Sequence, residues 1–288
     1  MISTKINVCE PLCDSAQKMW EQARTSCDST CRDYHASWQF LRLLKVISSI
    51  HGDRDFFLET TRQLARDREL KKILISAAAD YGTLAHVLAA CRAEGVEPEI
   101  TLVDLCPTPL LNNQWYAERF HADVKIVQSD ILTYCQNSKF DMVCTHSFLG
   151  RFSPTGREQL LRTWHDLLRP GGWVLTSKKV RPTHVAATVT YDDNDADIFV
   201  EKLRSAVLRY EKVLDVELSD LLEAGRGYVM TKFNYNLRSS DELGELFTCN
   251  GFELIRVDTP ERLSPDVDPP SVVARDHGQR VRILARRK

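Results

Sequence analysis

From Lys72 onward the chain alternates short apolar runs with amphipathic stretches, and this rhythm constrains the fold more than any other feature. Ile73-Leu74-Ile75, Ile100 to Asp104, Val124 to Val127, Phe140 to Cys144 and Trp173 to Thr176 each have the length and composition of a strand. Helix patterns lie between them. Leu84, Val87, Leu88 and Cys91 share one face, Pro107 to Arg119 has proline near its first turn, and Ser153-Pro154 opens a helix carrying Leu160, Leu161, Trp164, Leu167 and Leu168. Arg169-Pro170-Gly171-Gly172 is expected to stop that helix before the fifth strand. Five strands separated by helices within about 110 residues require parallel pairing through right-handed crossovers, an α/β, doubly wound sheet.

Residues 1–70 read as helical, with no sheet of their own. Phe40, Leu41, Leu44 and Ile47 recur at helical spacing between Thr30 and Ile50. His51-Gly52-Asp53 breaks the helix and restarts it with Asp53 as N-cap, and Phe56, Phe57, Thr60 and Leu64 follow on one face. This region is expected to form a lid over a sheet domain spanning 71–288. Inside that domain the strand rhythm lapses between Val185 and Tyr235, where Asp197 to Leu214 reads as a long helix. No Pro/Gly-rich linker sets the stretch apart, so it is read as a helical insertion after strand five, about 183–236. A helix from Ser240 to Cys249 then leads into Phe252 to Val257 and, past a Pro-rich loop, Val281 to Ala285. Two closing strands without an intervening helix suggest an antiparallel hairpin.

Composition narrows the function classes. With 38 basic and 40 acidic residues the formal charge is −2, which is no electrostatic footprint for nucleic acid. No apolar run reaches the roughly 18 residues of a membrane span. The first residues lack the apolar core of a secretory signal, so a cytoplasmic protein is expected. Nine cysteines is an odd count and argues against a disulfide framework. Cys91 falls on the apolar face of a helix and Cys144 inside a strand, where free cysteine acts as a small hydrophobe. Cys9 and Cys13, then Cys27 and Cys31, form two Cys-x3-Cys pairs, a donor set suited to Zn²⁺. The wide spacing disfavours that reading, and a frayed N-terminal arm with incidental thiols and no metal is the expectation. Tyr191-Asp192-Asp193-Asn194-Asp195 lacks the glycine and distant glutamate of a calcium loop and reads as a solvated acidic turn.

In an open parallel sheet, ligands sit beyond the carboxyl ends of the strands. Strand one ends in Ser76-Ala77-Ala78-Ala79-Asp80-Tyr81-Gly82-Thr83, directly before a helix. Small side chains there let backbone approach a ligand closely, with alanine tolerated where φ is negative. Strand two ends at Asp104, where an acid accepts hydrogen bonds from both ribose hydroxyls of an adenosine moiety. His146, at the carboxyl end of strand four, is the candidate general base, against a histidine merely bonded to backbone.

Residues 72–180 and 235–285 resemble the class I (Rossmann-like) S-adenosylmethionine-dependent methyltransferases. The resemblance rests on Ile73 to Gly82, Asp104, Gln128-Ser129-Asp130-Ile131, Phe140 to Val143, Cys249 to Glu253 and above all Leu167-Leu168-Arg169-Pro170-Gly171-Gly172. It implies a mostly parallel seven-stranded sheet with the last strand antiparallel. It also implies S-adenosyl-L-methionine as cofactor, with S-adenosyl-L-homocysteine as product, held by Ser76, Ala77, Ala79, Asp80, Gly82, Asp104, Leu105, Asp130, Ile131 and Thr145. Tyr34, His35, Trp38, Arg42, Phe148 and Tyr235 are the residues expected around a small-molecule acceptor in specialised, natural-product metabolism, unless the aromatic stripe simply packs on the sheet. A homodimer fits the same resemblance. The family's first loop is usually glycine-rich, whereas here only Gly82 remains. That departure motivates an alternative, a cyclase, an isomerase or a non-catalytic subunit on the same fold. A nicotinamide dehydrogenase lacks its Gly-x-Gly-x-x-Gly turn.

Overall fold

The computed structural model describes residues 6–67, 70–181, 186–261, 272 and 278–288. The parallel strands form where the apolar runs predict them: β1 (Lys72–Ser76), β2 (Glu99–Asp104), β3 (Val124–Gln128), β4 (Phe140–Cys144) and β5 (Leu168–Val180). With β8 (Phe252–Asp258) and β9 (Gln279–Arg287) they build one seven-stranded sheet of order β3-β2-β1-β4-β5-β9-β8. β9 runs antiparallel to both neighbours, so the expected hairpin exists, with its second strand wedged between β5 and β8.

Alternation along β1 shows why the sheet carries helices on both faces. Ile73 and Ile75 pack with α3 (Arg54–Arg66), α4 (Gly82–Arg92) and α5 (Pro107–Arg119). Leu74 packs with α6 (Pro154–Leu167) and α9 (Ser240–Cys249). Successive strand side chains point to opposite faces, so a continuous apolar run needs cover on each.

A second core joins α1 (Leu12–Ser26) and α2 (Arg32–Leu43) to α7 (Asp193–Leu208) and α8 (Leu218–Met230). The N-terminal arm is therefore a packed helix, where fraying is the sequence expectation. Burying Met19 and Trp20 contributes about 1.5–3 kcal/mol each, enough to order a segment of marginal intrinsic helicity. A two-stranded ribbon, β6 (Thr188–Val189) with β7 (Asn234–Tyr235), closes the stretch between β5 and α9.

Several boundaries move for local reasons. The helix expected at 197–214 begins at Asp193, because Asp192 and Asp195 form a capping box: the Asp195 N–H donates to Asp192 Oδ1 at 2.9 Å and the Asp192 N–H to Asp195 Oδ2 at 3.2 Å. The acidic turn is thus a helix start, with Asp195 buried. α2 ends at Leu43, short of Ile50. The Arg169 to Gly172 stop lies inside β5 as an irregularity opposite Phe140 and Met142, where Gly171 takes φ +74. Among the described residues no helix is long and apolar enough to cross a membrane.

Candidate active site

Strand order reverses between β1 and β4, and a crevice of about 680 Å³ opens beyond their carboxyl ends. The β1–α4 loop forms one wall. Ala77 has φ +65, so the expectation of alanine at negative φ fails at the first loop position. An L residue there carries about 1–2 kcal/mol of strain. The Ala77 N–H donates to Val103 O at 2.9 Å, which ties the loop to β2.

Asp104 faces the crevice from the end of β2, half-buried. Its Oδ2 accepts from the Ala78 N–H at 3.0 Å and its Oδ1 from the Cys106 N–H at 2.8 Å. Burial raises its pKa, although both amides favour the charged form. Each oxygen keeps a second lone pair for a ligand. Leu105, 69% exposed, lies beside it on the crevice wall.

Asp80 also lines the crevice, already paired: the Arg42 guanidinium donates to it, and its Oδ1 accepts from the Gly82 N–H at 2.9 Å. Arg42 reaches it from α2 and also binds Glu10. Gly82 itself is buried outside the lining. A Cβ there would lie 3.0 Å from Asp80 Oδ1 and 3.1 Å from the Arg42 guanidinium, so glycine admits the ion pair and does not touch a ligand.

Above the crevice α2 presents Tyr34, His35, Trp38 and Arg42 together. Tyr34 stacks on Trp38 and on Tyr228 of α8, each at 5.3 Å between centroids. The Trp38 indole nitrogen is buried with no hydrogen-bond partner among the described residues. His35 also has neighbours other than the crevice. Its Nδ1 lies 3.3 Å from both Cys27 Sγ and Cys106 Sγ, so it belongs to a thiol cluster at the crevice edge.

His146 lines the floor with Ser147 and Phe148. Its Nε2 lies 2.9 Å from Asp53 Oδ2. Asp53 occupies the N-cap position of α3, yet its side chain caps nothing. The same Oδ2 accepts from Ser177 Oγ and an Arg280 guanidinium nitrogen, both at 2.8 Å, and Oδ1 accepts from Arg282 Nε at 2.7 Å. Burial opposes its ionisation, but Arg280, His146 and Arg282 outweigh that and hold the carboxyl well below the usual carboxylate range.

Five further expected residues fall outside the lining. Ser76 Oγ accepts from the Trp164 indole N–H at 3.0 Å in the core. Asp130 is exposed and accepts from the Leu132 N–H at 2.9 Å, while Ile131 joins the core beneath. Thr145 is buried, its N–H bonded to Leu175 O at 3.1 Å. Tyr235 lies in β7, and its neighbours Phe233 and Asn234 line the crevice in its place. Asp53, Cys106, Arg151, Lys178 and Arg280 escape sequence reasoning, because each is an isolated polar residue whose partners are distant in the chain.

Residues 77–172 match the model of a methyltransferase domain, a third of the chain. No curated protein sequence matches. Among solved structures, an S-adenosylmethionine-dependent methyltransferase from Clostridium acetobutylicum aligns with a TM-score of 0.53 at 12% identity, over 86% of this chain and 95% of that one. A protein from Pyrococcus horikoshii aligns at 0.51 with 14% identity, over 87% and 99%. At such identities the likeness concerns the fold. Residues 77–172 thus match a methyltransferase domain, and the strand order around them is that of the Rossmann-like methyltransferase fold.

Proposed function

We propose that the crevice binds S-adenosylmethionine against the β1–α4 loop and directs methyl transfer to a small-molecule acceptor held under α2. The observation that carries this reading is Asp104, its carboxylate fixed by two backbone amides and turned into an open crevice. Its remaining lone pairs suit two ribose hydroxyls. The Asp80–Arg42 pair offers one charge of each sign, matched to an amino-acid zwitterion, and Leu105 offers an apolar face for a base. The Trp38 N–H, without a hydrogen-bond partner among the described residues, supplies a further donor. The sulfonium brings an already activated methyl group, so the protein's task is mainly placement.

Tyr34, Trp38, Phe148 and Phe233 would flank the acceptor. A roof formed by α2 and residues 231–234 supports the reading of a small-molecule acceptor, of the kind met in specialised metabolism. His146 would take a proton from an acceptor hydroxyl or ammonium, its ring oriented by Asp53. Calorimetry with S-adenosylmethionine and S-adenosylhomocysteine tests the cofactor site: micromolar binding is expected for the wild type and its loss for Asp104→Ala, while a wild type that binds neither refutes the site. On any acceptor that yields S-adenosylhomocysteine, His146→Ala should lose turnover with cofactor affinity unchanged; normal turnover removes the base. The strained Ala77 favours a second reading, a fold that retains the ligand without transferring methyl. Tight binding with no transfer to a broad acceptor panel would select it.

A further inference from the structure

The turn between α1 and α2 and the loop after β2 bring three thiols and an imidazole into one cluster. Cys27 ends α1, Cys31 precedes α2, His35 lies one turn further on, and Cys106 precedes α5, two residues past Asp104. Cys31 and His35 stand four residues apart and share a helix face. All four donor atoms lie within 4.8 Å of one another. Cys106 Sγ is 3.4 Å from Cys27 Sγ and 3.8 Å from Cys31 Sγ, and His35 Nδ1 is 3.3 Å from both Cys27 and Cys106.

These separations match the edges of a coordination tetrahedron. Zinc–sulfur bonds of about 2.3 Å and zinc–nitrogen bonds of about 2.0 Å place sulfurs about 3.8 Å apart and sulfur about 3.5 Å from nitrogen. Thr108 Oγ1 stands 3.0 Å from Cys27 Sγ, where its hydroxyl can donate to a thiolate outside the ligand set. Cys27 and His35 are buried, while Cys31 and Cys106 are half-buried on the crevice wall, which leaves a path for an ion to enter.

We propose that Cys27, Cys31, His35 and Cys106 form a structural Zn²⁺ site. Three thiolates and an imidazole are soft donors that select zinc, and four protein ligands complete its coordination. The ion would tie the α1–α2 turn to the loop that carries Asp104, since the Cys106 N–H donates to that carboxylate. Cys9 and Cys13, the other Cys-x3-Cys pair, are both exposed and outside the cluster. The zinc site does not depend on the proposed acceptor or on methyl transfer.

The full chain, purified from zinc-supplemented cells, should carry one zinc per chain by plasma mass spectrometry. Replacement of zinc by Co²⁺ should give the intense visible absorption of tetrahedral cobalt together with sulfur-to-cobalt charge transfer. Cys106→Ser and His35→Ala should lower bound metal at least about tenfold, and the Cys9→Ser/Cys13→Ser double variant should retain it. Should the single variants not fold, differential alkylation of the wild type decides: zinc should shield Cys27, Cys31 and Cys106 until a chelator is added. A wild type without zinc and with only pale, octahedral cobalt overturns the site. So does metal retained by both single variants, no change in shielding on chelation, or a Cys27–Cys106 disulfide in place of the ion.

Discussion

Replacing Asp53 by Asn should destabilise the protein by about 3–4 kcal/mol, although the substitution changes one atom and little volume. The carboxylate is fully buried and bonded to His146, Ser177, Arg280 and Arg282, which come from three separate segments of the chain. Breaking a buried pair by neutralising one partner costs about 3–5 kcal/mol, because charges stay buried without compensation. The Arg282 and His146 side chains are each 14% exposed, so water recovers part of the loss and the lower end of that range applies. At about 2–4 °C per kcal/mol, Tm should fall by roughly 6–16 °C. Urea unfolding of wild type and Asp53→Asn followed by circular dichroism gives the difference directly. The pH dependence has a definite sign. The folded carboxyl titrates well below the unfolded value of about 3.9, so between the two the unfolded chain binds more protons and stability rises with pH. The stabilisation is complete above the unfolded value and is lost as pH falls toward the folded one. The gap between wild type and variant should therefore be constant near neutrality and shrink below about pH 4. A difference under 1 kcal/mol at neutral pH, or one that grows on acidification, refutes the view of Asp53 as a buried anionic hub.

Three further substitutions probe the first strand, its loop and the α6 tryptophan bonded to that strand. Ala77→Gly removes the strain of a left-handed alanine and should stabilise by about 0.5–1 kcal/mol after the greater freedom of glycine in the unfolded chain is offset; destabilisation in the same urea assay would contradict the backbone geometry. Trp164→Phe should cost about 1–3 kcal/mol by leaving the Ser76 hydroxyl buried without its donor, and adding Ser76→Ala should recover part of that loss. Ser76→Ala alone should leave S-adenosylhomocysteine affinity unchanged; a tenfold loss would return Ser76 to the cofactor site.

Strand and helix periods are local properties, and they made the sheet legible in advance. Phe140 to Cys144 and Pro107 to Arg119 form the expected elements residue for residue, because each segment's apolar spacing matches a single geometry. Local polar chemistry was harder to read, since a side chain near a helix start can cap it or leave it. Asp192 caps α7 and extends it, whereas Asp53 at the same kind of position turns away to two arginines. The Arg169 to Gly172 motif marks the right place but continues as strand, because β4 pairs with Leu168 before it and with Trp173 after it.

The amino-acid order alone therefore determined the α/β class, the parallel strands, the closing hairpin and the place of Asp104 at a strand's carboxyl end. Tertiary structure decided which polar groups meet: His35 with Cys27 and Cys106, Arg42 with Asp80, and Asp53 with His146, Arg280 and Arg282. The physical reason is range. Periodicity is written into neighbouring residues, whereas a buried charge or thiol takes its partner from whatever segment folding brings within about 4 Å, however far along the chain that segment lies.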